Sequence, residues 1–362
     1  MSEQLALSPA DTRSVAVAFG LGSVVRECRP VPGGLSHPLY RLRTERGTWA
    51  VKRLNRSRED WWWRDHLLAA AVERAALAAG VPLPRPVVPP APAAAGSPLA
   101  DLPLGGEPVS FLAWEWSEGD RLDDLNVPDD VRSWVGGTLA TLHALAVEAP
   151  AGGQVHPPHP VEEWRTWLAE APPATDPEFL RSVAGHLDAV AEAYRLVTGF
   201  TARLAPSEPV FTHRDVKPDN VLVTTRTPVL LDWEGAGPEP APWEAARAAL
   251  AFARTPDGWS RAGFLRVLAA YRAAGGGVLP ADPAVFGGLL ANRLGGAAFL
   301  LWRALGHRPV SAPERAAAHR HTLEYLAQLR LTLGRLDTWT GWLAELEGSP
   351  AAPAAPPGRP AG

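Results

Sequence analysis

Apolar and polar residues alternate in short runs along the first part of the chain and fall at helical spacing over most of the remainder. Val24 to Val31 reads as a strand running into Gly33-Gly34, and Pro38 to Arg43 resumes an extended pattern. Glu45-Arg46-Gly47 marks a turn before Thr48 to Leu54, so consecutive hairpins open the fold. Asp60 to Ala79 predicts a helix that Gly80 stops, with Pro82 just beyond. Val87 and Val88 begin a strand, which the stretch PPAPAAAGSP from Pro89 to Pro98 breaks into a surface loop. Val109 to Trp116 returns as a strand ended by Ser117-Glu118-Gly119.

From Val127 the period changes. Val131 to Ala146 (VRSWVGGTLATLHALA), Val161 to Ala171 and Pro177 to Thr198 predict helices. The short strands VLVT (Val221 to Thr224) and PVLLDW (Pro228 to Trp233) interrupt them, and helices return from Trp243 to Glu347. The Pro/Ala/Gly-rich end, Gly348 to Gly362, predicts a disordered tail.

The densest polar run is Thr212-His213-Arg214-Asp215-Val216-Lys217-Pro218-Asp219-Asn220. Pairing Val221–Thr224 with Val229–Asp232 as a hairpin places Thr224 opposite Val229 and Val221 opposite Asp232. Asn220 and Asp232 then emerge at one end, beside the loop carrying Asp215. Such a set offers only oxygen ligands and suits Mg²⁺ with its own waters and bound phosphates. The order H-R-D-x-x-x-x-N is the signature of a kinase catalytic loop, in which the Asp takes a hydroxyl proton and the Asn holds a metal. Asp232 stands where that signature has its second metal-binding Asp, followed here by Trp233-Glu234.

A phosphate-gripping lysine is also needed. Lys52, in the strand AVKRL after the Gly33-Gly34 hairpin, matches that context. Glu73, on the following helix, is the candidate to pair with Lys52, with Glu59 as the alternative.

The segments GGLSHPLYRL, WAVKRL, the Glu73 helix leading into GVPLPRPV, FLAWEWSEGDRL, LATLHAL, HRDVKPDNVL and LLDWEGAGP, in that order from Val31 to Pro238, resemble the aminoglycoside phosphotransferase family, itself similar to choline kinases. The resemblance implies an α+β, bilobal protein-kinase-like fold with a small antiparallel-sheet N-lobe (1–112), a hinge and helical C-lobe (113–347) and a tail (348–362). It implies Asp215 as catalytic base, Asn220 and Asp232 as Mg²⁺ ligands, Lys52 on the phosphates and Glu73 as its partner. It further implies a hinge at Trp114-Glu115-Trp116 whose backbone meets the adenine, and a phosphate loop containing Gly33, Gly34 and Ser36. Lys217, a protein-kinase-like feature, is placed to touch the γ-phosphate, and Glu244 in PWEAARAAL stands where relatives have Asp.

The implied activity is transfer of the γ-phosphate of ATP or GTP to a hydroxyl of a small molecule. The acceptor is an antibiotic such as an aminoglycoside, or an endogenous sugar or amino alcohol. The rivals are a Ser/Thr protein kinase, which His213-Arg214-Asp215 and Lys217 favour, and a kinase-like nucleotide-binding protein without turnover. No full G-x-G-x-x-G loop and no A-P-E segment support the protein kinase.

Composition excludes other classes. The net charge is −4, with 35 basic and 39 acidic residues and no Lys/Arg block, which argues against nucleic acid. Cys28 is the only cysteine, so no internal disulfide forms. The N-terminus lacks a signal-peptide pattern, and the apolar stretch Gly295 to Trp302 is too short to span a bilayer. A cytoplasmic monomer or homodimer without a membrane partner is expected.

Overall fold

The computed structural model describes residues 7–32, 37–54, 60–90, 97–104, 107–147, 158–205, 208–307 and 312–347. The expected tail lies outside them. The chain divides into two compact units, one comprising Met1–Asp123, Leu145–Gly153 and Phe211–Gly237, the other Asp124–Ala144, Gln154–Val210 and Pro238–Gly362. The run from Asp215 to Asp232 therefore groups with the sheet rather than with the helices that follow it.

The first unit is mixed α and β. It opens with α1 (Pro9–Ala18), whose N-cap Ser8 accepts from the Asp11 N–H. Strands β1 (Val25–Val31), β2 (Leu39–Thr44) and β3 (Thr48–Leu54) follow, then α2 (Asp60–Ala78), β4 (Ala100–Leu104) and β5 (Glu107–Glu115). They form one antiparallel sheet in the order β1-β2-β3-β5-β4. Helix α2 ends at Gly80, whose φ of +83° is open to glycine at little cost. The expected strand at Val87-Val88 is a single bridge between Pro86 and Trp114.

Alternation along β3 and β5 sorts side chains to the two faces of this sheet. Val51, Val109, Phe111 and Ala113 join Val15, Ala16 and Phe19 of α1 in one core cluster. Leu54, Leu112 and Trp114 join Trp62 of α2 in the other. Lys52 lies opposite Leu112, so it emerges on the α2 face. Of the tryptophan run at 61–63, Trp62 is buried and packs edge-on against Trp63 and His66.

A smaller sheet joins β6 (Asp120–Arg121), β8 (Val221–Val223) and β9 (Val229–Leu230). Strand β7 (Pro209–Thr212) enters the polar loop and β10 (Gly237–Pro240) leaves it. Val221 pairs with Leu230 and Leu222 with Val229, two residues away from the expected register. The turn explains the shift. Thr224 Oγ1 accepts from the Arg226 and Thr227 N–H groups and donates to the Thr227 carbonyl, so Thr224 belongs to the turn and not to the strand.

The second unit is helical: α3 (Asp129–His143), α4 (Val161–Ala169), α5 (Pro177–Ala184), α6 (Leu187–Thr201), α7 (Ala241–Ala251), α8 (Arg261–Ala273), α9 (Gly287–Leu305), α10 (Ala312–Leu333) and α11 (Leu336–Glu347). The short hairpin β11 (Arg254–Thr255) and β12 (Gly258–Trp259) separates α7 from α8. The single helix expected over 177–198 is broken at Gly185-His186. Pro283–Leu305 is long and apolar enough by composition to cross a membrane, a longer run than Gly295–Trp302. Its helix α9 is mostly buried against α10, α6 and α7.

A buried polar chain ties α3, α7 and α8 together. His143 bonds Glu244 through Nε2 at 2.9 Å and the Tyr271 hydroxyl through Nδ1 at 2.8 Å. Glu244 is fully buried. Removing the partner of a buried carboxyl leaves it unsatisfied, so His143→Ala lowers unfolding free energy by about 3 kcal/mol. Urea denaturation checks this, with Glu244→Gln, which keeps an acceptor, falling between the two.

Candidate active site

The site is built on the polar loop, where two residues hold an unusual backbone. Arg214 and Asp232 have φ of 67° and 69°, a left-handed conformation costly for residues other than glycine. Each immediately precedes or carries a carboxylate that the sequence singled out. Gly237 leaves room for Arg214: a Cβ there would come within 2.8 Å of the guanidinium.

His213 is fully buried and locks the loop. The Asp215 N–H donates to His213 Nδ1 at 3.2 Å, so Nε2 carries the proton and donates to the Leu231 carbonyl at 2.8 Å. Its ring packs edge-on against Trp233. His213 thus fixes Asp215 relative to the residue before Asp232.

Asp215 Oδ2 accepts from Lys217 Nζ at 2.7 Å and from Asn220 Nδ2 at 3.0 Å. Asn220 Nδ2 also donates to the Asp215 carbonyl at 2.9 Å. Both Asn220 amide hydrogens have acceptors there, so Oδ1 is the atom of this side chain that can accept or ligate. About a third of the Asp215 side chain is exposed. Burial opposes the Lys217 charge, but the Asp215 carboxylate outweighs it and raises the lysine pKa.

Lys52 reaches this loop directly. Its Nζ donates to Asp232 Oδ1 at 2.6 Å and to Glu234 Oε1 at 2.5 Å. Burial disfavours the ammonium, yet Glu234 and Asp232 together raise its pKa. Burial also disfavours an Asp232 carboxylate, and Lys52 overcomes that and holds the group low. Glu234 is the more deeply buried carboxyl, and burial with the neighbouring Asp232 pushes it up to about 7. The two acids share one ammonium and differ in proton affinity.

The expected Lys52–Glu73 pair is not formed. Glu73 is buried, and its carboxylate accepts from the Trp114 indole N–H at 2.7 Å. Lys52 sits against the same indole, its Nζ 6.0 Å from the ring centroid. Helix α2 turns Glu73 toward β5, and the turn at 233–235 supplies Glu234 in its place. Sequence reasoning missed Glu234 in this part because the contact spans 182 positions. It also missed His37 and His66. Burial lowers both to about 4, with Lys52 adding to the effect, so both are neutral beside the lysine. His66, Ala70, Glu73, Trp114 and Glu234 line one small cavity.

The backbone at Trp114–Trp116 is partly committed. The Glu115 N–H donates to the Arg85 carbonyl and the Trp116 N–H to the Thr48 carbonyl. Neither amide is then open to an adenine ring. Gly33, Gly34 and Ser36 lie outside the described residues.

Burial raises the Glu73 carboxyl to about 7 against the opposing Trp114 hydrogen bond. The folded chain therefore holds this proton more tightly than the unfolded chain. The resulting stability is complete below the ordinary carboxylate pKa and is lost as pH rises through 7. A shift from 4.5 to about 7 corresponds to at most about 3 kcal/mol. Glu73→Gln removes this loss, so its stability falls less than that of the wild type between pH 5 and pH 8, measured by urea denaturation at each pH.

An all-oxygen set of Asn220 Oδ1 and Asp232 matches the donors a hard divalent cation takes. A lysine, a carboxylate with one free oxygen and such a donor pair are the parts phosphoryl transfer requires.

Comparison with known proteins agrees. No curated protein matches the chain. Solved structures do match over nearly its whole length at low identity, which shows the fold. A spectinomycin phosphotransferase in complex with ADP and spectinomycin aligns with a TM-score of 0.64 at 12% identity, covering 93% of this chain and 99% of that one. An amicoumacin kinase in complex with AMP-PNP and Ca²⁺ aligns at 0.59 and 14% identity, covering 90% and 95%. A Plasmodium vivax ethanolamine kinase aligns at 0.58 and 11% identity, covering 88% of each chain. The profile of the phosphotransferase enzyme family, the aminoglycoside phosphotransferase type, matches residues 27–264, from β1 through the Lys52 strand and the Asp215 loop into α8. With that span matched and the fold of small-molecule kinases in place, the chain belongs to the phosphotransferase enzyme family.

Proposed function

We propose that this protein transfers the γ-phosphate of ATP or GTP to a hydroxyl group of a small molecule, with Asp215 as the base. The observation that carries the reading is Asp215 itself: Lys217 and Asn220 hold one carboxylate oxygen, and the other is left for the acceptor hydroxyl. The acceptor oxygen bonds to the γ-phosphorus as the bond to the bridging oxygen breaks, and the nucleoside diphosphate leaves. The hydroxyl proton passes to Asp215. Lys52 steadies the phosphate oxygens as a fixed cation. Asn220 and Asp232 would hold a divalent cation such as Mg²⁺, which would supply charge neutralisation at the phosphates. Lys217, already on Asp215, stands next to the transferred group.

The acceptor is a hydroxylated antibiotic or an amino alcohol. Spectinomycin and amicoumacin in the relatives' structures support the first class, and an aminopropanol kinase of 18% identity supports the second. The test is nucleotide consumption by the purified chain with Mg²⁺ across aminocyclitols, aminoglycosides, peptide antibiotics, sugars and amino alcohols. Consumption that depends on one acceptor supports the proposal. No acceptor-dependent consumption, with no nucleotide binding, overturns it.

A further inference from the structure

Two side chains of the first unit that line one cavity each keep a shielded polar atom without a partner. His66, on α2, is buried, and its Nδ1 has no hydrogen bond among the described residues. Glu234, on the turn at 233–235, holds Lys52 through Oε1, and its Oε2 is likewise shielded and unpartnered. Both residues line the small cavity bounded by Leu112, Trp114 and Trp233. Glu73, which engages Trp114 through one carboxylate oxygen, lines it as well.

Leaving two such atoms without partners costs about 1–3 kcal/mol each. A direct bond between them would remove that cost, and none is formed. The cavity has room for about one water molecule and nothing larger. Its chemistry suits water too. Burial lowers the His66 pKa to about 4, so the ring is neutral, with one N–H and one bare nitrogen. A water can bond Nδ1 as donor or acceptor, donate to the Glu234 carboxylate and keep a bond for Glu73. Three polar partners is the usual number for a buried water. An anion would meet the carboxyls of Glu234 and Glu73, and the space admits no organic cation.

We infer that a buried water joins His66 Nδ1 to Glu234 Oε2, and that His66 is thereby a positioning residue for Lys52. The inference rests on the phosphotransfer reading, in which Lys52 steadies nucleotide phosphates. Glu234 holds the lysine by one oxygen, so the anchoring of the other decides whether the carboxylate can turn about its last torsion. The water fixes that torsion to α2, which packs on the 233–235 turn. Helix α2 thus steadies Lys52 without the direct Lys52–Glu73 pair.

A high-resolution crystal structure of the full chain tests the bridge: it shows one ordered water within about 3.2 Å of both atoms. An empty cavity, or a direct His66–Glu234 bond, overturns it. Titration with ATP and with GTP, each with Mg²⁺, tests the positioning role. His66→Leu weakens nucleotide binding about fivefold, and His66→Asn, which keeps a polar atom at the place of Nδ1, stays within about twofold of the wild type. Because His66 acts through Glu234, adding His66→Leu to Glu234→Gln weakens binding no further. The role is overturned if His66→Leu binds as the wild type does, if His66→Asn is as weak as His66→Leu, or if the two changes add. A wild type that binds neither nucleotide removes the phosphotransfer reading and the positioning role together. Intact wild-type binding with unmoved variants removes the positioning role alone. Should His66→Leu fail to fold, His66→Met takes its place.

Discussion

Asp215→Ala lowers acceptor-dependent nucleotide consumption by about 10²–10⁴-fold, the range a positioned base contributes. The fall is in kcat, and KM for the nucleotide changes little. That split follows from the geometry: Lys52 is held by Asp232 and Glu234, and neither bond involves Asp215. Asp215→Asn separates shape from basicity. It retains an oxygen for Lys217 and loses the proton acceptor, so its kcat falls almost as far as that of the alanine variant. Steady-state kinetics with the best acceptor from the panel decide the matter. Near-normal kcat in either variant removes Asp215 from the mechanism.

The loop around Asp215 was legible because its chemistry is local. Nine consecutive residues carry Asp215, its lysine and its amide, and their bonds span no more than five positions. The strand position of Lys52 was equally legible, since alternation in β3 and β5 fixes which face it takes. Other features were signalled but overlooked. Ser8-Pro9 ahead of Asp11 is a helix start, and α1 follows it. Pro103 disguised β4, although an edge strand tolerates proline.

What the sequence withheld depends on distances along the chain and on rotation about a helix axis. Nothing local distinguishes a Glu73 that meets Lys52 from one that meets Trp114, because a small turn of α2 separates them. The hairpin register was withheld for a related reason. Thr224 has strand propensity, and only its three hydrogen bonds assign it to the turn. Left-handed Arg214 and Asp232 carry no sequence mark at all. The Lys52 contacts of Glu234 and the cavity it shares with His66 emerge only when the fold is assembled.

Glu234→Gln raises the nucleotide KM by about tenfold, equivalent to about 1.4 kcal/mol of lost binding, and Glu73→Gln leaves it within about twofold. Lys52 has two carboxylate partners, Asp232 and Glu234. Asp232 is also the carboxylate proposed to hold Mg²⁺, so when it turns to that task Glu234 is left as the anion that orients the lysine. Gln keeps the size and one acceptor oxygen but removes the charge, and the ammonium becomes free to swing. The pH dependence distinguishes this role from simple packing. Burial raises the Glu234 pKa toward neutrality, so the carboxylate that steadies Lys52 is lost as pH falls below about 7. Nucleotide affinity of the wild type therefore weakens on acidification through that range. In Glu234→Gln the affinity is lower and flat across the same range, because no proton enters at this position. Nucleotide titrations at pH 6, 7 and 8 show the difference. If the variant keeps the wild-type slope, another group is responsible and Glu234 is a packing residue. If instead Glu73→Gln produces the tenfold loss, the lysine is held from α2 during binding, and the arrangement around Trp114 rearranges when nucleotide arrives.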